Sequence, residues 1–433
     1  MKTNKKILSR NIVWLSGLMT GLGSSVFAAD QLSLSAGGGL ELHDNAAHLD
    51  TDEKSDLRRF VNTDIGYQKT DGQIRADIGY RAERSDYLRD YDEDNTAIDG
   101  RGMVQWLIAP RLLDASLSHQ ISQSQRDRRE LDVASNRERR SITTAAINGY
   151  LHLSPVDSII LSPRFSDVSF EDSTDSDSQR SSMTVAWQHE LSQISSLSLN
   201  ANYDHVTFDE STNDYDSPSV MLLFKSALSR LSYQIGLGRT RFDRDEGKDF
   251  SGSTAQLAVD YVSPEGIEWG GSYLHQLTDS SVGLSSFEFS LNDFDSGDSN
   301  FEQFDVIKID RAEAYWKQRL NASNQLNANI SYRKEDYKET PQDQNVGSVQ
   351  LGYLYTINSS WSAGIDARYE RTKFVDEPTQ KYDTTRVRLN ATYRVSRPLE
   401  IRFSVGQDKR DADEPSDSYT DNIALVGVNY RFF

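Results

Sequence analysis

The chain has 433 residues, a formal charge of −19 and no cysteine, and only 36% of its residues are hydrophobic. The lack of cysteine excludes a disulfide framework, a thiol nucleophile and a thiolate metal site. The acidic balance disfavours nucleic acid as a partner.

Lys2, Lys5, Lys6 and Arg10 form a basic n-region, followed by an apolar stretch from about Ile12 to Phe27 with Val26 and Ala28 at the −3 and −1 positions of a small-residue cleavage site. Residues 1–28 are therefore predicted to be a signal peptide, and 29–433 a single domain. Loss of those four basic residues takes the formal charge from −19 to −23. The remaining chain contains no apolar run long enough for a membrane helix of ~20 residues.

Along the mature chain, with hairpins beginning near Leu32, short turn signals recur at a spacing of about 38 residues. They are Thr70-Asp71-Gly72, Ala109-Pro110, Ser154-Pro155, Gln193-Ile194, Ser229-Arg230, Pro264-Glu265-Gly266, Ala322-Ser323, Asn358-Ser359 and Arg397-Pro398. Between them apolar and polar residues alternate. Ile74, Ala76, Ile78 and Tyr80 share one face against Arg75, Asp77, Gly79 and Arg81. Trp361, Ala363, Ile365, Ala367 and Tyr369 face away from Ser362, Asp366, Arg368 and Glu370. Period two over about ten residues is the signature of a strand.

Nine tight turns imply an all-β fold: a transmembrane antiparallel up-and-down β-barrel of about 20 strands. The count falls to 18 if the glycine run at 37–39 or the stretch 214–229 is not a strand. The longer acidic segments, at 44–56, 84–98, 125–139, 172–180, 209–217, 243–250, 279–303, 334–345, 373–383 and 408–418, become extracellular loops. Of these, 279–303 is the most plausible plug or binding loop by length.

A Lys or Arg on the lipid face near mid-membrane costs ~2–4 kcal/mol, so the charged face must line a wet lumen. The predicted lumen residues are Arg75, Asp77, Arg81, Glu268, Arg333, Glu335, Asp366, Arg368, Glu370, Arg386, Arg388, Arg394, Glu400 and Arg402. Two readings of this wall stand side by side. It guides an anionic glycan, or it is a ladder of ion pairs that braces a wide barrel and selects nothing. Tyrosines and tryptophans near strand ends suit the two interfacial girdles, which implies membrane lipid and lipopolysaccharide as surroundings.

The histidines show no metal-ligand spacing, no GxSxG elbow is present, and no cofactor motif appears. A non-enzymatic barrel is expected. The acidic loops read as a solvated surface rather than as calcium loops, since none has EF-hand order.

The last strand alternates through Val426, Val428, Tyr430 and Phe432. Together with Gly427 it resembles the terminal signal by which barrel assembly machinery recognises outer-membrane proteins, here with Phe433 appended. Near the start, the run LELHDNAAHLDTDEKSDLRRF, with Asp44-Asn45 and Ser55-Asp56, precedes a strand, a TDG turn and a Tyr/Arg-rich strand. This resembles the outer-membrane β-barrel porin family found with exopolysaccharide biosynthesis loci, including Vibrio-type biofilm polysaccharide systems. Ala46 and Ala47 depart from the larger apolar residues of that pattern. The resemblance implies export of a surface polysaccharide, with a periplasmic polysaccharide-export protein as partner. An oligosaccharide-uptake or general porin, and a plugged surface barrel acting as an adhesin, are the alternatives.

Overall fold

A computed structural model describes residues 31–127, 129–209, 213–281, 304–376 and 380–433. The predicted signal peptide and most of the 279–303 segment lie outside the described residues. The strands in chain order are β1 (Gln31–His43), β2 (Asp56–Lys69), β3 (Ile74–Tyr87), β4 (Asn95–Ala109) and β5 (Leu113–Gln125). They continue as β6 (Arg137–His152), β7 (Asp157–Phe170), β8 (Ser178–Ser192), β9 (Ser195–Phe208) and β10 (Tyr215–Ala227). Next come β11 (Leu231–Arg244), β12 (Phe250–Val262), β13 (Ile267–Asp279), β14 (Val306–Arg319) and β15 (Asn324–Tyr337). The last five are β16 (Gln344–Thr356), β17 (Trp361–Phe374), β18 (Lys381–Arg394), β19 (Leu399–Ala412) and β20 (Tyr419–Arg431).

Every strand pairs antiparallel with its sequence neighbours, and β1 pairs with β20, so the 20-stranded sheet closes on itself. Closure leaves no unpaired edge, which is what an apolar surround demands of a backbone. Both weak stretches are strands. At the seam Gly39 pairs with Gly427, and a Cβ on Gly39 would lie 2.5 Å from the Val426 carbonyl oxygen and 2.8 Å from Phe60 Cζ. The glycine run is therefore what lets the first and last strands meet. Phe432 extends the seam by donating its amide to the Leu34 carbonyl at 2.8 Å.

The predicted tight turns all fall at one end. Gly72 and Gly266 take the left-handed conformation there, with φ of 80° and 78°. Apolar side chains on one face remain uncovered by protein: Leu237 is 64% exposed, Leu351 54% and Val405 53%. An uncovered apolar band of this extent, on a closed barrel, is a lipid face.

At the other end the strands run past the boundaries predicted from apolar alternation. The expected loop 84–98 is confined to residues between Tyr87 and Asn95, and β19 continues to Ala412. The ladder persists because backbone pairing needs no apolar side chain. On β17 the outward face simply changes from Tyr369 to Arg371 and Lys373 as it leaves the membrane.

The acidic residues at these hairpin tips have a structural task. The backbone amides of Tyr87, Phe170, Phe208 and Tyr337 donate to the carboxylates of Asp94, Asp177, Asp214 and Asp343, respectively. Each aspartate satisfies the last amide of one strand from the hairpin segment that follows it, as local side-chain-to-backbone bonds do in tight turns. The Asp44-Asn45 pair is used similarly at the seam. Fully buried Asn45 donates to the carbonyls of Leu49 and Thr420, and Asp44 accepts from the amide of Asn422 at 2.6 Å.

Candidate functional site: the inner wall and the extracellular mouth

In the strand pattern the predicted lumen residues occupy the face opposite the uncovered apolar band, and most are paired. Arg388 grips Asp408 through two hydrogen bonds of 2.7 and 2.8 Å. Arg394 binds Glu400 at 3.0 Å, with Arg402 4.0 Å from the same carboxylate. Arg368 binds Glu370 at 2.7 Å, and Arg333 binds Glu335 at 2.8 Å. Arg81 binds Glu83 at 2.8 Å, Glu268 stands 4.0 Å from Lys317, and Asp366 accepts from Asn390 at 2.9 Å. Arg386 lies between Asp408 at 3.8 Å and Asp132 at 3.6 Å. Arg75 and Asp77 make no such pair among the described residues. Solvated pairs of this kind contribute roughly 0–1 kcal/mol each. Their main effect is to cancel charge along the wall.

Hydroxyls and amides fill the intervals. Thr144 bonds Ser166 at 2.9 Å, Ser162 bonds Asn148 at 2.7 Å, Thr184 bonds Asn202 at 2.7 Å, and Ser331 bonds Ser348 at 2.7 Å.

The mouth is crossed by the loop joining β5 to β6, a feature not anticipated beyond its length. Asn136, 4% exposed, shapes the loop by donating to the carbonyls of Asp127 at 2.6 Å and Leu131 at 3.0 Å. The tip then docks on the wall across the mouth. Arg129 donates to the Pro341 carbonyl at 2.7 Å and lies 5.3 Å from the Phe374 ring. Arg410 of β19 donates to the carbonyls of Glu130 and Arg129, and its guanidinium stacks 3.8 Å from the Tyr382 ring centre.

Asp132 is held by Arg137 at 2.7 Å. Burial works against its charged form, but the Arg137 guanidinium outweighs that, with help from Arg386, and keeps the carboxyl below its ordinary range. Burial also lowers the His48 imidazole, which is stacked on Tyr419 with ring centres 4.2 Å apart. Beneath this loop, a polar recess of about 320 Å³ is lined by Arg58, Glu83, Asn95, Asp99, Gln123, Asp132 and Arg137, among others.

A second inward element comes from the ends of β13 and β14. Phe304, Val306 and Leu277 pack with Val206, Phe208, Tyr215 and Phe242. Asp279 takes two hydrogen bonds from Arg180 of β8, at 2.9 and 3.0 Å, and one from Tyr215 at 2.7 Å. The stretch predicted to plug the barrel thus begins and ends against the inner wall, and its middle is outside the described residues. A trace of this was present in the sequence. Val206, Phe208 and Phe242 place apolar side chains on the face that is polar elsewhere along β9 and β11.

The histidines also acquire partners. His43 binds Asp421 at 2.7 Å, His189 binds Asp157 at 2.8 Å, and His205 binds Asp216 at 2.9 Å. His275 binds Asp310 through Nδ1 and Ser253 through Nε2. Among the described residues no group of three or more His, Asp or Glu side chains is placed to hold a metal ion.

The closed barrel, its uncovered apolar band and its polar inner wall define a β-barrel protein of the outer membrane. No protein-family model matches the sequence, and no characterised protein is significantly similar to it in sequence. Among solved structures, the chain is similar to the siderophore receptor PirA from Acinetobacter baumannii, with a TM-score of 0.52 at 8% identity over 93% of this chain and 80% of that one. The ferric enterobactin receptor PfeA from Pseudomonas aeruginosa gives 0.49 at 11% identity over 92% and 80%. The FrpB iron transporter from Neisseria meningitidis gives 0.47 at 10% identity over 96% and 84%. At these identities the likeness is one of barrel fold.

Proposed function

We propose that the barrel is a passive outer-membrane conduit for an exopolysaccharide, through which the polymer diffuses or threads while energy is supplied elsewhere. The observation that carries this reading is the chemistry of the inner wall. Hydroxyl and amide pairs such as Thr144–Ser166 and Ser162–Asn148 alternate with compensated arginine–carboxylate pairs. Such a wall exchanges hydrogen bonds with sugar hydroxyls one for one, so a moving glycan meets no deep well.

Charge compensation bears on the kind of polymer. With Arg388, Arg394, Arg368 and Arg333 each engaged by a carboxylate, the field that would draw in an anionic glycan is largely cancelled. A neutral or weakly charged polymer fits better. The polar recess under the crossing loop, at the lower end of the ~300–1,000 Å³ usual for small-molecule sites, suits a sugar unit at the exit. A periplasmic polysaccharide-export protein would meet the end that carries the tight turns.

The test is secreted and cell-bound polysaccharide in a strain lacking the protein, complemented by wild type and by a variant with Arg386, Arg388 and Arg394 changed to Ser. Polymer lost from the medium and restored by wild type supports the conduit. Unchanged secretion overturns it. A growth defect confined to iron limitation, with intact polymer, would instead align the chain with the siderophore receptors that share its fold.

A further inference from the structure

Ser253 of β12, His275 of β13 and Asp310 of β14 stand in line on the outer face of the barrel. The Ser253 hydroxyl is 3.1 Å from His275 Nε2, and His275 Nδ1 is 2.6 Å from an Asp310 oxygen. An ionised carboxylate can only accept, so Nδ1 carries a proton, and in the neutral imidazole Nε2 then offers its lone pair to the serine hydroxyl. This is the polarity of a serine nucleophile with its base and the group that orients the base. The partner-bearing groups are covered, with the His275 side chain 17% exposed and that of Asp310 28% exposed, whereas Ser253 is exposed. Tyr273 donates to the same Asp310 oxygen at 2.9 Å and fixes it from a second side. The other outward histidine–aspartate pairs, His189–Asp157 and His205–Asp216, have no serine on the second ring nitrogen among the described residues.

Two further observations concern what the serine faces. Across the β11–β12 ladder, Ser253 pairs with Arg239, an exposed arginine with no hydrogen bond or ion pair among the described residues. The outward Arg371 of β17, by contrast, is engaged by Asp383 through two 2.6 Å bonds. Beside Arg239, a depression of about 550 Å³ opens on the outer wall, lined by Val220, Phe250 and Pro218 as well as by polar groups. Pro218 contributes by lacking an amide, and no β10–β11 pairing occurs between Asp216 and Ser219.

The depth of this site follows from the outward residues of β11, which read Tyr233, Ile235, Leu237, Arg239 from the membrane upward. From Leu231 to Arg239 the strand rises about 27 Å, or roughly 20 Å along the membrane normal at a tilt near 40°, against an apolar band of ~25 Å. Arg239 and Ser253 therefore stand near the top of the apolar band, within about 5 Å of its boundary with the head groups. Ester linkages of membrane lipids lie at that boundary.

We propose that Ser253, His275 and Asp310 form an acyl-ester hydrolase site facing the outer leaflet, with Arg239 stabilising the oxyanion. The Ser253 oxygen attacks the ester carbonyl carbon while His275 Nε2 takes its proton. The tetrahedral intermediate collapses, the bond to the lipid alcohol breaks, and His275 returns the proton to the leaving oxygen. Water, deprotonated by the same nitrogen, then attacks the acyl-serine; the bond between the acyl carbon and the Ser253 oxygen breaks, His275 returns the proton to that oxygen, and the fatty acid leaves. The substrate class is the carboxylic ester of a lipid acyl chain, from a glycerophospholipid or from the lipid A part of lipopolysaccharide. The site does not rest on the conduit reading, and a barrel that exports nothing retains it.

The experiment uses the full-length protein reconstituted in vesicles of phosphatidylethanolamine or of lipid A. It measures fatty acid release by mass spectrometry and labelling by a fluorophosphonate serine probe, with folding checked by heat-shifted migration. Wild type should release fatty acid and carry the label on the peptide containing Ser253. Ser253→Ala should lose both. His275→Gln and Asp310→Asn should slow labelling by about a hundredfold or more while staying folded. Arg239→Gln should lower turnover more than it lowers vesicle binding. Release from one vesicle type alone identifies the lipid. A wild type that neither labels nor releases fatty acid from either lipid overturns the proposal. So does a Ser253→Ala variant that is as active as wild type, or variants that lose heat resistance with labelling intact, which would mark a hydrogen-bonded ladder with a structural role.

Discussion

Arg410 donates from its two terminal guanidinium nitrogens to the main-chain carbonyls of Glu130 and Arg129, each at 2.8 Å. One side chain of β19 thus holds the tip of a loop rooted on β5 and β6, beyond the seam between the first and last strands. Since both acceptors are backbone atoms, the contact fixes the path of the loop rather than any particular side chain on it.

Arg410→Ala is therefore expected to free the crossing loop. Two hydrogen bonds to a charged donor, about 1.5–3 kcal/mol each, are lost, and single-channel conductance in planar bilayers should rise by roughly a factor of two. Unchanged conductance would mean that the loop does not set the aperture.

The same loop should respond to acid. The Asp132 carboxyl, ordinarily near 3.8, lies lower in the folded protein, because Arg137 and Arg386 outweigh the cost of its burial. A depressed carboxylate stabilises docking fully above its ordinary value, and that contribution is lost as pH falls through the lowered one. Conductance should stay level from neutral pH to about 5 and rise only below about 4. Asp132→Asn should already show the acid-side conductance at neutral pH.

Phe208 is 6% exposed in the cluster on the inner wall and meets Phe304 edge-on, with ring centres 4.8 Å apart. Phe208→Ala should cost about 3–5 kcal/mol locally. Limited proteolysis should then cut the ends of β13 and β14 faster, while the heat-shifted migration of the whole barrel changes little. A global loss of that migration shift would instead make the cluster part of the barrel's own stability.

At the seam, Gly39→Val would drive side-chain atoms into the Val426 carbonyl and the Phe60 ring. Little folded barrel should reach the outer membrane, and Gly39→Ala should fall between that variant and wild type. A Phe432→Ser variant separates recognition from closure. It removes the outward aromatic that packs on Tyr430, with ring centres 4.9 Å apart, but leaves the backbone seam intact. It should reduce assembly in cells without preventing refolding in detergent.

Much of this architecture was legible in the chain because it rests on local rules. The turn signals at Asp71, Pro155 and Gly266 mark hairpins, since proline and glycine restrict or relax the backbone where they stand. Alternation such as Trp361 to Tyr369 assigns faces with a period of two, and strand number and the outward apolar band follow from it. The same rule ended strands too early, because it weighs side chains, whereas the ladder that carries β17 past Arg371 is made by the backbone.

Tertiary structure alone decided the rest. Register brings Asp408 to Arg388 and turns a row of arginines into compensated pairs, and closure brings Arg410 to Glu130 across 280 residues of chain. It also sets Ser253, His275 and Asp310 side by side from three strands with no motif between them. Faces are written in a period of two along one strand. Neighbours across strands depend on shear, closure and loop path, which no single stretch of sequence encodes.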